Sequence, residues 1–156
     1  MQRIREGLRT IDARLAFALL YLAGTLTVLE FFYLPPRIEQ RMAAEEANRP
    51  GLVSAEPPNG AADVSPVLAE LVFTFDRPMK RDQYSVMLGP GGEAAYPEVV
   101  SVSFDEAGEV FTMRVKLAPG TRYGFTLNSE IGGAFQSAGG TRLAVVRYSF
   151  STADQD

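Results

Sequence analysis

Carboxylates are the main side chains here that could do chemistry, because the 156 residues include no histidine and no cysteine. The chain therefore lacks the commonest general base, the commonest zinc ligand and any thiolate or disulfide. Asp105, Glu106 and Glu109 cluster in one turn and could hold Ca²⁺ loosely. They lack the alternating acidic spacing of a calcium loop, and exposed hairpin turns are often acidic. We expect no metal site and no cofactor.

A serine or threonine nucleophile would need a base, and the candidates are Lys80, Lys116 or a carboxylate. Neither lysine lies in a Ser-x-x-Lys frame, and Gly-x-Ser-x-Gly is absent. Gly132-Gly133 and Gly139-Gly140 lack a following Lys-Ser/Thr or a helix, which indicates turns and not phosphate-binding loops. These patterns predict a protein that is not an enzyme and has no evident small-molecule substrate.

The charge distribution argues against nucleic-acid binding. Residues 1–49 carry seven Arg and six acidic residues, whereas residues 50–156 carry eight Lys or Arg and thirteen Asp or Glu, a net charge of −5. Phosphate neutralisation needs grouped Lys and Arg, which an acidic region without a basic cluster does not provide. We expect no nucleic-acid partner.

The segment Leu15–Leu34, LAFALLYLAGTLTVLEFFYL, contains one charge in twenty residues. As a helix it would span about 30 Å, close to the hydrocarbon thickness of a bilayer. Its Leu, Val and Phe residues contribute about −3 to −7 kcal/mol together on an insertion scale. Glu30 lies near the outer end, where a charge costs less than the roughly 3 kcal/mol it costs at the centre. The segment predicts a transmembrane helix and a lipid-bilayer partner.

A cleaved signal peptide is the alternative to this anchor. Such a peptide has an apolar region of about 7–15 residues and a small-x-small cleavage site; here the run is longer, and Pro35-Pro36 separate it from the alanines beyond. We expect the prolines to stop the helix at the interface. Positive-inside counting favours a cytoplasmic N-terminus and a periplasmic or extracellular domain by four arginines to three: Arg3, Arg5, Arg9 and Arg14 before the segment; Arg37, Arg41 and Arg49 after it.

Four residues are candidates for a contact inside the membrane. Ala23 and Thr27 have small-xxx-small spacing beside Gly24, which permits close helix approach. Glu30 either snorkels to the headgroups or pairs with Arg37, or it contacts a neighbouring membrane subunit. On the second reading, Glu30→Leu would release the chain from its complex, and unchanged co-purification would remove that reading.

The pattern changes to period-two alternation beyond Gly51, as in Leu71, Phe73 and Phe75 or in Tyr123, Phe125 and Leu127. About seven short alternating runs separated by Gly- and Pro-rich turns predict an all-β, immunoglobulin-like β-sandwich. The expected organisation is a cytoplasmic tail (1–14), a transmembrane helix (15–34), a linker with a short helix (35–51), the sandwich (52–152) and a C-terminal tail (153–156).

Two stretches carry a family resemblance. Ser54–Asp82, SAEPPNGAADVSPVLAELVFTFDRPMKRD, resembles the opening of the bacterial Ig-like domains grouped with the S-layer protein SbsA, with a Pro-x-Asn/Asp-Gly turn and a strand ending Phe-Asp/Ser-x-Pro-Met. Leu117–Tyr123, LAPGTRY, resembles the family's Leu-x-Pro-Gly-Thr-x-Tyr, and Tyr148–Thr152 its closing strand. Ile131–Leu143 departs from the pattern, because it lacks the usual Asp-x-x-Gly-Asn, which leaves that loop undefined.

The resemblance implies a structural or binding module without catalytic residues. Physically, Pro119-Gly120 followed by Tyr123 suits a tyrosine corner, and Asp76 with Pro78-Met79 suits the end of a strand. The leading functional prediction is an accessory subunit of a larger bacterial membrane complex, of respiratory, photosynthetic or secretion type, with other membrane proteins as partners. The alternative is a tethered binder of carbohydrate or cell-wall polymer; Tyr84 and Tyr96 are the obvious loop aromatics, and there is no Trp.

Overall fold

The computed structural model describes residues 13–32 and 34–154; side chains are described from residue 14 to 28 and from 37 onward. The chain divides into two compact units, Met1–Ala47 and Asn48–Asp156. The first contains the helices α1 (Ala13–Phe32) and α2 (Leu34–Ala47). The second contains a 3-10 turn, Gly92–Ala95, and seven strands: β1 (Leu52–Glu56), β2 (Glu70–Phe75), β3 (Val86–Leu88), β4 (Glu98–Phe104), β5 (Val110–Lys116), β6 (Arg122–Leu127) and β7 (Val146–Ser151).

Helix α1 is apolar on all its described faces, and its large side chains are exposed throughout. Its two threonine hydroxyls are satisfied within the helix, since Thr25 donates to the Tyr21 carbonyl at 3.0 Å and Thr27 to the Ala23 carbonyl at 2.7 Å. Among the described residues, no helix combines the length and apolarity needed to cross a membrane. The side chain of Glu30 lies outside the described part.

The two prolines lie in the first turn of the second helix. Helix α1 ends at Phe32, and α2 begins at Leu34 with Pro35 and Pro36 in its first turn. Proline is tolerated there because the first N–H groups of a helix have no intrahelical acceptor. The short helix predicted within the linker 35–51 therefore begins at Leu34, one residue before that linker.

The seven strands form two antiparallel sheets that enclose one core. The four-stranded sheet has the order β1-β2-β5-β4, and the three-stranded sheet has the order β3-β6-β7. The predicted strand number and the β-sandwich class of this region are confirmed. The core consists of the inward-facing residues of each alternating run and a few loop residues: Leu71, Phe73, Phe75, Met79, Phe111, Met113, Val115, Tyr123, Phe125, Leu127, Phe135, Leu143, Tyr148 and Phe150.

The loop that follows β1 covers the outer edge of β7. The Asn59 side chain accepts a hydrogen bond from the Ser149 N–H at 2.9 Å, and the Gly60 N–H donates to the Ser149 carbonyl at 2.7 Å. Farther along, the Ser151 N–H donates to the Ala61 carbonyl at 2.9 Å. An uncovered strand edge is a template for pairing with another chain, so this loop closes one side of the sandwich.

Candidate functional site

The acidic turn between β4 and β5 is organised by its own backbone. The Asp105 carboxylate accepts hydrogen bonds from the N–H groups of Val110 at 3.0 Å and Glu109 at 2.8 Å, and these bonds, Val110 first, lower the pKa of Asp105. No group of three acidic residues is placed to hold a metal ion in the part of the chain that is described. The carboxylate caps a turn, which is a structural role.

Asp76 ties the start of the domain to the end of β2. The Gly51 N–H donates to Asp76 Oδ1 at 2.9 Å, and the Asp76 N–H donates to the Gly51 carbonyl at 3.0 Å. Arg77 donates from Nε and Nη2 to the two carboxylate oxygens at 3.0 and 2.9 Å. The hydrogen bond from Arg77, followed by that from Gly51, lowers the pKa of Asp76.

The next two residues of this motif join separate loops. The Pro78 carbonyl accepts from the Ala138 N–H at 2.8 Å, and the Met79 N–H donates to the Gly108 carbonyl at 2.8 Å. The Met79 side chain is buried. Residues 76–79 thus hold the start of the domain at Gly51 and two loops together at one end of the sandwich. None of these contacts presents a reactive group.

Asp76→Asn should destabilise the domain at pH 7, and the loss should become smaller as the pH falls below about 3.9. A carboxyl whose folded-state pKa is depressed adds stability above its unfolded pKa of about 3.9, and that stability disappears as the pH falls through the folded value. The side chain is partly exposed, so screening limits the effect. Urea unfolding at both pH values measures it, with Asp82→Asn as control. A difference in stability that is as large at pH 3 as at pH 7 would contradict the assignment to ionised Asp76.

Tyr123 pins the turn before β6. The Ala118 N–H donates to the Tyr123 hydroxyl at 2.7 Å, and the Thr121 hydroxyl donates to the Pro119 carbonyl at 2.9 Å. Gly120 has φ +57, a left-handed conformation that suits glycine. The Tyr123 ring stacks on Phe150 with centroids 5.2 Å apart. This arrangement has the bond pattern of a tyrosine corner.

Tyr123→Phe should lower the free energy of unfolding by about 1–2 kcal/mol, because it leaves the Ala118 N–H without its acceptor. Chemical denaturation measures the change. Tyr84→Phe is the matched control, since the Tyr84 hydroxyl has no hydrogen-bond partner among the described residues, and it should change stability by less than about 0.5 kcal/mol. Equal losses in the two variants would show that the hydroxyl of Tyr123 has no special role.

Sequence reasoning missed Asn128, the most completely buried polar side chain of the domain. Its amide nitrogen donates to the carbonyls of Phe135 at 3.0 Å and Leu143 at 2.9 Å, and its oxygen accepts from the Phe135 N–H at 2.9 Å. These bonds shape the β6–β7 loop, the region that departs from the family pattern. The available signal was an asparagine directly after a strand, a residue type that tolerates left-handed φ; here φ is +63.

The side of the sandwich between the edge strands β3 and β4 carries exposed apolar side chains. We call it the open side and define it by Tyr84, Leu88 and Tyr96. Tyr84 precedes β3, and its ring centroid lies 5.6 Å from that of Phe111 of β5. Tyr96 precedes β4, and its ring centroid lies 5.9 Å from that of Phe125 of β6. Burial, and secondly the nearby Tyr84, raises the pKa of Tyr96. The structure therefore brings together the two loop tyrosines that the sequence singled out.

The candidate membrane contact lies on α1. Thr27 and Ala23 are neighbours on the helix surface through their hydroxyl-to-carbonyl bond, and a Cβ on Gly24 would meet nothing within 4 Å. Glu30 belongs to α1, but its side chain lies outside the described part, so its partner stays a prediction.

These features define an immunoglobulin-like β-sandwich in which Asp76, Asp105, Tyr123 and Asn128 hold loops and turns. Residues 46–152 match the family described as bacterial Ig-like domain, and the chain belongs to that family. No curated protein matches.

Three solved structures are similar to this chain. CopC from Methylosinus trichosporium OB3b has 16% identity over 69% of this chain and 97% of its own, with a TM-score of 0.53, which shows a shared fold. PcoC, a copper resistance protein from Escherichia coli, has 14% identity over 65% of this chain and 98% of its own, with a TM-score of 0.47. The S-layer protein SbsC has 19% identity over 76% of this chain, which spans only 16% of SbsC, with a TM-score of 0.44.

Proposed function

We propose that this protein is a non-catalytic, membrane-anchored Ig-like module that serves as an accessory subunit of a larger bacterial membrane complex. In this proposal the N-terminus is cytoplasmic, α1 lies in the inner membrane, and the sandwich is periplasmic or extracellular. The observation that carries it is the apolar surface of α1, where the exposed side chains lie on every side of the helix: Leu15, Phe17, Leu19, Leu20, Tyr21, Leu22, Leu26 and Val28.

Such a surface is unfavourable in water. Exposed apolar area costs roughly 25 cal/mol per Å², and a helix that is apolar all round is typical of a buried or membrane-spanning segment. The hydroxyls of Thr25 and Thr27 are already bonded to helix carbonyls, which lowers the cost of placing them in lipid. Helix α1, Ala13–Phe32, has twenty residues, and a helix of that length extends for about 30 Å.

The non-catalytic part of the proposal rests on residue content and on the roles of the polar side chains. The chain has no histidine or cysteine. Asp76, Asp105 and Asn128 are engaged with backbone groups. The resemblance of the Ser54–Asp82 motif to SbsA-type domains supports an interaction module.

A copper function, which the name of PcoC states for that protein, does not suit this chain. Soft copper(I) prefers thiolate, thioether and imidazole ligands. Cysteine and histidine are missing, and the side chains of Met79 and Met113 are buried in the core, which leaves Met87 as the one exposed thioether of the described sandwich residues.

Carbohydrate binding is the second candidate, and the proximity of Tyr84 and Tyr96 favours it. Sugar sites present flat aromatic faces. Here Tyr84 packs on a β5 ring and Tyr96 is half-buried, so neither ring offers two free faces. A glycan array and a peptidoglycan pull-down with the full chain would test it, and Tyr84→Ala should abolish any genuine signal.

The anchored-subunit proposal predicts that the full chain sediments with membranes, resists alkaline carbonate, and migrates on native gels in mild detergent well above its own 17.0 kDa. Replacing Leu19 and Leu22 together with arginine adds about 5–7 kcal/mol to the insertion free energy, enough to offset the gain from the apolar residues, and should release the chain. The matched control changes Ile38 and Met42 of α2 to arginine and should leave it in place. Wild-type chain in the soluble fraction, or a lone 17.0 kDa species, would contradict the proposal.

A further inference from the structure

The outer edge of β4 has backbone groups that no described strand uses. Strand β5 lies between β2 and β4. The Val115 N–H of β5 donates to the carbonyl of Ala69, directly before β2. The backbone N–H and C=O groups of odd-numbered β5 residues therefore bond toward β2, and those of even-numbered residues bond toward β4. Val102 and Phe104 lie opposite odd-numbered residues of β5. Their N–H and C=O groups therefore point away from the sheet, and no backbone hydrogen bond from the described residues reaches them.

The sequence of β4 does little to protect this edge. Residues 99–104 read VVSVSF, a run of high strand propensity without charge, proline or glycine. Edge strands are usually protected by lysine, proline, a bulge or a covering loop. Here a bulge between Val99 and Ser101 is the one such device within the run. By contrast, a loop covers β7 across the fold.

The apolar residues beside this edge form a partial floor for an added strand. Tyr84 and Leu88 are 48% and 50% exposed. The inward-facing Val102 and Phe104 are only partly buried, although they pack against the core. Because alternate residues of a strand face the same side, every second residue of an added strand would cover this floor.

Charge argues against a second copy of this chain as the occupant. Antiparallel self-pairing about Val102 would place Glu98 of one copy opposite Glu106 of the other at both ends. Like charges opposite each other destabilise a strand pair. Lys116 pairs with Glu98 and offsets one of the two carboxylates, but residues 50–156 carry a net charge of −5 from eight basic and thirteen acidic residues. A partner with basic residues fits this edge better.

We propose that an extended segment of a partner protein, apolar in its middle and basic at its ends, adds to β4 as a fifth strand of the four-stranded sheet. Backbone bonds to Val102 and Phe104 hold it, and its inward side chains cover Tyr84 and Leu88. This inference rests on the proposed function, because it names the outer edge of β4 as the surface with which the accessory domain binds its partner.

The probe is a fluorescent peptide, KKVTVTVKK, titrated into the full chain in non-ionic detergent and followed by anisotropy. We expect saturable binding, and no binding of EEVTVTVEE or of KKVPVPVKK, in which proline removes strand donors. Val100→Lys should weaken binding about tenfold or more. Val53→Lys should not, although Val53 is also an exposed valine at a bulge of an edge strand, on β1.

Hydrogen exchange supplies a readout that does not depend on a variant. Bound peptide should slow exchange at the amides of Val102 and Phe104 and leave those of β1 unchanged. Absence of peptide binding, equal binding by the Val100→Lys and wild-type chains, or a stable dimer of the full chain through β4 would overturn the proposal. If one of these results occurs while the chain stays in the membrane and co-migrates with a larger complex, only the proposed binding surface on β4 is wrong. If the peptide binds but the chain is soluble, only the proposed membrane anchoring is wrong.

Discussion

Replacing Asn128 with alanine is expected to lower the free energy of unfolding by about 3 kcal/mol or more. The side chain is fully buried and makes three hydrogen bonds to the backbone, two to Phe135 and one to Leu143. The substitution leaves the Phe135 N–H and the Leu143 carbonyl without a partner in the interior, and each such group costs about 1–3 kcal/mol. The Phe135 carbonyl keeps its bond from the Leu143 N–H. Alanine must also adopt the left-handed φ of +63, which adds strain.

Urea or thermal unfolding measures the loss, and two variants separate its causes. Asn59→Ala removes the same side chain from an exposed site on the β7 edge, where water replaces the lost partners, and should cost less than about 1 kcal/mol. Asn128→Gly removes the bonds without the strain, so it should recover at most about 1 kcal/mol relative to alanine. If Asn59→Ala and Asn128→Ala cost the same, the buried network does not organise the loop.

The strands were predictable because their signal is local. In Glu70–Phe75 and Val110–Lys116, alternation in sequence maps directly onto the two faces of a strand, and the buried residues are the ones the pattern assigns inward. The turn at Pro119-Gly120 was predictable for the same reason. A turn and the tyrosine that pins it lie within a few residues of each other.

The β6–β7 loop and the open side were not predictable, because both depend on distant contacts. Asn128 bonds to residues seven and fifteen positions away, and no periodicity marks such pairs. Phe135 lies among Gly, Ala and Ser, so its surroundings indicate an exposed loop although the ring is buried. Whether β4 is an edge or a central strand depends on sheet order, which alternation does not encode. Tyr84 and Tyr96 were identified as loop aromatics, but their proximity arises only when the two sheets pack.

Phe135→Ala should lower the free energy of unfolding by about 3–5 kcal/mol, the range for truncating a buried phenylalanine. The Phe135 ring packs into the core of the sandwich and is fully buried. It meets Phe111 edge-on at 5.0 Å, and it also contacts Phe75 at 5.8 Å and Phe104 at 6.2 Å. Since Phe104 belongs to β4, the cavity would also loosen the edge strand.

Ile131→Ala is the control, because Ile131 belongs to the same loop but is completely exposed, and it should be neutral within about 0.5 kcal/mol.

The double variant of Asn128 and Phe135 tests whether the two side chains depend on each other in stabilising the domain. Asn128 positions the backbone of Phe135, so once the ring is gone its bonds hold less in place, and the combined loss should fall short of the sum by about 1 kcal/mol or more. If the two losses of unfolding free energy simply add, the Asn128 amide and the Phe135 ring stabilise the domain independently.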